Sequence, residues 1–261
     1  MLHTVEIAET IRRCEIDGVR CGLSTACRLL PEAGVTWFEM GGGMAAFAGA
    51  DSPFSQAYGI TEPVTAKDVA TITAFYETRG ATAQVFVLPS SDASLAIELA
   101  AAGYAPHEYE NVLASDSFDV HAAFDERIGI ASDLEAWATA SARAFTGRES
   151  LGPADLAIAK IIAYSEGVYP TQAQVEGTIA ATAAMDVRDG CAALFAGSTM
   201  PAFRNRGWQI AMIRDRIARA RDERARWMRA TARPTSTSER NFIRCGFQTL
   251  FTRTLWQRRR T

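Results

Sequence analysis

Laid over itself at an offset of 143 residues, the chain repeats one order of elements. Gly103-Tyr104 falls on Gly246-Phe247, segment 65–79 on 208–222, and Val85-Phe86-Val87 on Met228-Arg229-Ala230. A single long repeat signals duplicated domains rather than a solenoid, which needs several short units in series. With 261 residues the chain can bury two modest cores. The polar, acidic segment 115–125 is the expected junction, which divides the chain into domains 1–120 and 121–261.

In each half, apolar and β-branched runs alternate with segments of helical spacing. The expected class is therefore α+β (α/β): two domains, each with a mixed central sheet flanked by helices. In the first half strands are expected at 35–40, 44–48, 84–88 and 107–114, the first two turning on Gly41-Gly42-Gly43. Pro63 and the cap pair Thr65/Asp68 announce a helix to about Arg79 with Val69, Ile72, Phe75 and Tyr76 on one face; a second helix covers 91–102. In the second half helices are expected at 132–145, 153–164, 208–224 and 236–245. Strands are expected at 178–187, 191–199, 227–231 and 247–256, with Arg188-Asp189-Gly190 turning between the first two.

Apolar residues make up 48% of the chain and charged ones 22%, the balance of a globular protein. The sequence does not begin with a basic segment followed by an apolar core. Its longest uncharged apolar stretch, 191–203, is shorter than the roughly 20 residues of a membrane helix. A cytoplasmic protein without membrane contact is expected. Cys14, Cys21, Cys27, Cys191 and Cys245 form an odd set with no CxxC pair, and His3, His107 and His121 all fall in the first half. Neither zinc-ligand spacing nor a Ser-His-Asp triad can be assembled from them, so no metal is expected.

The net charge of −3 conceals two unlike parts. From Ala202 onward sixteen arginines face four acids, whereas the preceding residues are acidic on balance. The basic part suits an anionic partner, either a phosphorylated cofactor or nucleic acid. Some of it can be a solvated helix face, with Asp215/Arg219 and Asp222/Arg226 at the favourable i,i+4 spacing. The arginines, ending in Arg258-Arg259-Arg260, lack interleaved aromatics for base stacking, which argues against nucleic acid. Within this part, Phe203-Arg204-Asn205-Arg206-Gly207-Trp208-Gln209 lies where an expected strand passes into an expected helix. Such a loop gathers unpaired amides at the positive end of a helix dipole. Gly207 allows close approach and Arg204 and Arg206 add charge, which makes a diphosphate site; the same residues also suit a tight turn with exposed arginines.

Taken in order, Leu194-Phe-Ala-Gly-Ser-Thr-Met-Pro-Ala-Phe-Arg-Asn-Arg-Gly-Trp-Gln209 and then Ser236-Thr-Ser-Glu-Arg-Asn-Phe-Ile-Arg-Cys-Gly-Phe247 resembles the GNAT N-acyltransferase superfamily. The first stretch is similar to its acyl-CoA-binding motif, R/Q-x-x-G-x-G/A, and the second to its terminal helix, N-x-x-x-x-Y-x-x-x-G-F. The resemblance covers about 128–256 and, more weakly, 35–114, a tandem-GNAT arrangement. It implies an acyl-CoA-dependent N-acyltransferase that passes acetyl from acetyl-CoA, or another acyl group from its CoA thioester, to a primary amine, on a small molecule or a peptide, by direct attack in a ternary complex.

By the same resemblance, the backbone of the segment containing Phe195, Ser198, Thr199 and Met200 holds the pantetheine arm. Arg204, Asn205, Arg206, Gly207, Trp208 and Gln209 hold the diphosphate, Asn241 contacts the pantetheine or nearby cofactor atoms, and Phe242 packs beside the thioester. Gln209 stands where the family usually has Gly or Ala. Phe242 stands where many members have the tyrosine that protonates the departing thiolate. The strand 191–200 has no acid; Asp186, Glu149 and Glu39 are candidates for the general base, and none is assigned. The first half has no arginine in its equivalent loop, Ser52-Pro-Phe-Ser-Gln-Ala-Tyr-Gly-Ile60, so it is expected to be a degenerate lobe that offers Trp37, Glu39, Phe54, Gln56 and Tyr58 as a wall for the acceptor. Two rival functions stay open: an acyl-CoA sensor without turnover, and a nucleic-acid-binding protein.

Overall fold

The computed structural model describes residues 4–258; the expectations for His3 and for the tail arginines Arg259 and Arg260 lie outside the described residues. The chain divides into two compact units, and the division crosses it at three places. One unit comprises Glu15–Asn111 with the chain from Phe251 onward; the other comprises the residues up to Cys14 with Val112–Leu250. The first helix, α1 (Thr4–Leu29), was not among the expected elements, although Ile7, Ile11, Cys14, Val19, Leu23 and Ala26 recur along it at helical spacing and are buried.

The unit built on 15–111 contains β1 (Thr36–Met40), β2 (Gly43–Phe47), β3 (Ala57–Tyr58), α2 (Ala66–Glu77), β4 (Gln84–Val87) and α3 (Ala93–Ala101), with most of β5 (Tyr104–Ser115). Strands β1 and β2 pair antiparallel with Met40 opposite Gly43. Gly41 and Gly42, at φ of 57° and 74°, supply the left-handed pair that a two-residue hairpin requires. Thr65 and Asp68 exchange bonds across the first turn of α2 in a capping box, as expected. That helix buries Val69, Ile72 and Tyr76 in a core with Val85, Leu95, Leu99 and Tyr104. The sheet runs β1-β2-β3-β4-β11, where the last strand of the chain, β11 (Gln248–Arg258), lies antiparallel to β4 from Thr254↔Val87 to Gln257↔Gln84.

The other unit holds β6 (Ile128–Ile130), α4 (Leu134–Thr146), α5 (Pro153–Tyr164), β7 (Val168–Val175), β8 (Thr178–Arg188), β9 (Cys191–Thr199), α6 (Trp208–Asp222), β10 (Trp227–Ala232) and α7 (Thr237–Arg244). Its strands run β10-β9-β8-β7-β6. The β8–β9 hairpin turns on Asp189 and Gly190, both with positive φ. Strand β7 was not expected, because Pro170 interrupts it. The Pro170 carbonyl accepts from the Ala131 amide just past the end of β6, so the proline nitrogen faces the same edge, where no ladder bond is lost. Trp137 is fully buried beneath α4 and donates its indole N–H to the Thr171 carbonyl at 2.8 Å.

Subtracting 143 from α6, β10, α7 and β11 gives 65–79, 84–89, 94–101 and 105–115, which fall on α2, β4, α3 and β5. The order and positions of these four elements thus recur at that offset. Among the described residues no helix is long and apolar enough to cross a membrane.

Several carboxylates, some exposed and some half-buried, are held by local partners in the fold. Arg12 holds Glu9 below its ordinary pKa; hydrogen bonds from Thr65 do so for Asp68, from Ser94 for Asp92, from Arg127 for Asp125, and from Lys160 and Tyr164 for Glu135. A folded pKa that is depressed contributes stability above the unfolded value, about 4, and that stability is lost as pH falls through the folded value. The urea midpoint is therefore expected to drop on acidification from about pH 5 to pH 2. A midpoint that stays level across this range would contradict the assignment.

Candidate functional site

The site is assembled where β9 passes into α6. The first residues of β9, Cys191 to Leu194, are buried. They pair in parallel with β10 only from Trp227↔Cys191 to Arg229↔Ala193, although both strands continue beyond. On its other side β9 pairs with β8, where Thr182 faces Ser198 and Ala184 faces Phe195. Two residues, Ala196 and Gly197, therefore oppose Ala183 alone, and Ala196 has a φ of 51°: a β-bulge that bends the strand. The far end of β9 thus presents an edge with no ladder toward β10.

After a 3-10 turn at Pro201–Phe203, Asn205 and Gly207 both take left-handed conformations, at φ of 61° and 81°. Gly207 is the N-cap of α6, and no side chain caps that helix. By contrast α2, α3, α4 and α7 are capped by Thr65, Asp92, Asp133 and Ser236. The amides of the first turn of α6 therefore carry their partial positive charge into whatever occupies the adjoining space.

That space is a cleft of about 670 Å³. Of the residues singled out in the sequence, Ser198, Thr199, Arg204, Asn205, Gly207, Trp208, Gln209 and Asn241 line it. Gly197, Phe203, Ile210, Thr237, Arg244 and, from the end of α4, Ala144 and Phe145 complete the lining. The Arg204 guanidinium is braced on two carbonyls, of Thr199 and Ala144, both at 3.2 Å, which fixes its charge at the cleft; among the described residues no carboxylate lies within ion-pair distance of it. Gln209 is held at the cleft: its amide nitrogen donates to Ser238 at 3.2 Å and its oxygen accepts from the Asn241 amide at 2.6 Å. Arg244 in turn donates to the Asn241 oxygen at 3.3 Å. This chain of bonds fixes the start of α7 against the start of α6 across the cleft.

Four of the expected residues do not line the cleft. Phe242 is buried against Phe247, ring centroids 5.1 Å apart, in the core between α6, α7 and the sheet. The Arg206 guanidinium lies 5.6 Å from the centre of the Phe203 ring. Met200 closes the strand by donating its amide to Ala180, and Phe195 packs with α4 and α5 while its carbonyl accepts from Arg216 at 3.2 Å. Trp208 lines the cleft but is mostly core, packed with Met212 and Ala181, with Arg127 4.6 Å above its ring.

No carboxylate, histidine or tyrosine is among the lining residues. Asp186 is buried on β8 and paired with Arg188 at 2.8 Å, Glu149 is exposed after α4, and Glu39 on β1 accepts from Arg20. Trp37, Phe54, Gln56 and Tyr58 belong to the 15–111 unit, where Gln56 bonds to Gln84 and the Tyr58 hydroxyl donates to the Pro53 carbonyl. The basic part is also less open than its composition implied. Arg253 is buried between Glu15 and Glu110 at 2.6 Å each, and Arg258 pairs with Glu77. Arg219 holds Asp215 as expected, but Asp222 pairs with Arg221, because α6 ends at Asp222 and Arg226 lies beyond its helical geometry. Among the described residues the cysteines form no disulfide.

A bulged strand that parts from its parallel neighbour, followed by an uncapped helix, in a unit of order β-α-α-β-β-β-α-β-α, is the architecture of the GNAT superfamily, and the chain has that fold. It is similar over most of its length to a GCN5-related N-acetyltransferase from Kribbella flavida, with a TM-score of 0.66, 14% identity, and coverage of 94% of this chain and 96% of that one. A tandem GNAT protein from the clavulanic acid biosynthesis pathway is similar at a TM-score of 0.64 and 12% identity, covering 91% and 86%. A GNAT-family acetyltransferase from Colwellia psychrerythraea follows at 0.57 and 11%, covering 88% and 86%. No protein-family model and no curated sequence matches the chain.

Proposed function

We propose that the chain is an acyl-CoA-dependent N-acyltransferase that moves acetyl from acetyl-CoA to a primary amine in a ternary complex. The observation that carries this reading is the uncapped start of α6 beside a fixed, unneutralised Arg204 in an open cleft, next to a strand edge without a ladder. A diphosphate suits the amides and the guanidinium, and a pantetheine, an amide-bearing chain, suits the free edge of β9 from Met200 back toward Phe195. The amine nitrogen attacks the thioester carbonyl, the N–C bond forms, and the C–S bond breaks with its electron pair on sulfur. Positioning of the two reactants supplies most of the acceleration, and a β9 amide polarises the carbonyl.

Arg204 lines the cleft and Arg206 does not, so their contributions differ. Charge-assisted hydrogen bonds are worth about 1.5–3 kcal/mol. Arg204→Ala is expected to weaken CoA binding about 10- to 100-fold by titration calorimetry. Arg206→Ala is expected to weaken it about 3-fold or less. Equal CoA binding by Arg204→Ala and the parent would refute the loop assignment.

A second reading is favoured by one observation: the lining residues include no acid or base, and Phe242 is buried away from the cleft. On that reading the protein senses acyl-CoA without turnover. Labelled acetyl-CoA incubated with a panel of amines separates the two, since an enzyme releases CoA in proportion to acylated amine and a sensor releases none above background.

A further inference from the structure

Arg216 is 1% exposed, in the middle of α6, and its partners are unusual for a buried charge. Its Nε donates to the Met212 carbonyl at 3.0 Å, and its Nη1 donates to the carbonyls of Ala184 and Phe195, each at 3.2 Å. Those two carbonyls flank the β9 bulge. A Cβ on Gly197, at the bulge and on the cleft wall, would stand 3.6 Å from Nη2. Asp215 lies in its field but bonds to Arg219 through both oxygens, at 2.7 and 3.2 Å, so the group of Arg216, Asp215 and Arg219 keeps one net positive charge. Among the described residues no carboxylate lies within ion-pair distance of Arg216. Besides Asp215, the titratable group acting on it is the buried thiol of Cys245 at the end of α7, whose pKa burial pushes up and which Arg214 contacts. From β8 and β9 it meets carbonyls only.

Burial lowers the guanidinium pKa to about 10, so the charge persists at neutral pH. Bracing two carbonyls does not require a charge, and an unneutralised buried charge is costly unless something anionic uses it. The acyl-CoA reading, on which this inference rests, brings such an anion. Arg216 stands eight residues, roughly 12 Å, along α6 from the start of the helix at Trp208. It lies beneath the part of β9 toward which the pantetheine runs.

We propose that Arg216 stabilises the CoA thiolate that leaves the thioester, its buried charge beneath the β9 bulge taking the place of a proton-donating side chain. When the amine displaces CoA, the C–S electron pair stays on sulfur as a thiolate in the field of Arg216. The thiolate takes its proton from water on release, and the amine proton passes to solvent. No oxidant or reductant is involved, and Phe242 needs no replacement acid.

The test uses CoA and desulfo-CoA, which differ only at the thiol, with calorimetric affinities measured from about pH 6 to pH 9. A nearby cation lowers a neighbouring acid by about 1–3 units. If the bound thiol falls 1–2 units below its free value of about 8.5, the affinity for CoA relative to desulfo-CoA rises about 10- to 100-fold as pH climbs from the bound to the free value, then levels. Arg216→Lys keeps most of the rise. Arg216→Met and Arg216→Gln, one apolar and one an amide donor, reduce it to below about 3-fold while desulfo-CoA affinity stays within about 3-fold of the parent. A parent that shows no rise, or neutral variants that retain it, would overturn the assignment to Arg216 and leave CoA binding standing. Binding of neither compound to the parent would instead bring down the acyl-CoA reading itself.

Discussion

Gly43→Ala is expected to cost about 4 kcal/mol or more and to collapse the sheet of the 15–111 unit. A Cβ on Gly43 would fall against the carbonyl oxygen of Tyr58 and lie 2.5 Å from both the Gly59 carbon and the Ile60 nitrogen, all of them backbone atoms. No rotamer change can relieve such an overlap. Strand β3, which is only two residues long and pairs with β2 at Met44↔Tyr58 and Ala45↔Ala57, would have to leave the sheet. Its loss would expose Ala45, Ala57 and Ile60, which are fully buried in that core. Gly129→Ala on β6 is the matched control, because its added Cβ meets nothing within 4 Å, and it should change stability by about 0.5 kcal/mol or less. Urea unfolding of the two variants checks the contrast, and similar midpoints would contradict it.

Asp215→Ala is expected to destabilise the other unit by about 3–5 kcal/mol. Its carboxylate is completely enclosed; burial pushes its pKa up, and the two-pronged bond from Arg219 pulls it back. The pair keeps one negative charge in a region that also contains the fully buried Arg216. Removal of the carboxylate leaves two guanidinium groups facing each other's field with no anion between them, one with only 21% of its side chain open to water. Charge removal together with its partner, in Asp215→Leu/Arg219→Met, should recover much of the loss, since a buried pair replaced whole by apolar groups is often neutral. Chemical unfolding of the single and double variants measures the coupling. A single variant within about 1 kcal/mol of the parent would show that the cluster is hydrated rather than enclosed.

The sequence announced the elements that position the site more clearly than their partners. Helices α5 and α6 and strands β8 and β9 begin and end at or within two residues of the expected positions, because Pro153 at a helix start, the Asp189-Gly190 turn and apolar periodicity are local signals. Helix α1 carried the same periodic signal in Ile7, Ile11, Cys14 and Leu23 and could have been read. Strand β7 could not, because Pro170 is compatible with a strand only where the neighbouring strand has ended, and that is a property of β6. The entry of β11 into the sheet beside β4 was likewise invisible: the offset of 143 marks it as the counterpart of β5, but nothing in a strand's own residues names the edge it joins.

At the site, the loop residues were legible because glycine, arginine and their spacing carry the chemistry directly. Burial was the missing information. Phe242 and Phe247 read as cleft and core alike until packing sets them face to edge. Arg216 looked like one of sixteen solvated arginines, although its position three residues after Ile213 and four after Met212 places it on the buried face of α6.

A crystal structure of the protein with CoA tests the central claim most directly. The diphosphate is expected at the start of α6, bonded to amides of the 205–210 segment and to Arg204, with the pantetheine laid along β9 toward the bulge. Coenzyme seated in the 15–111 unit, or a cleft at Arg204 and Asn241 left unfilled at saturating CoA, would contradict it.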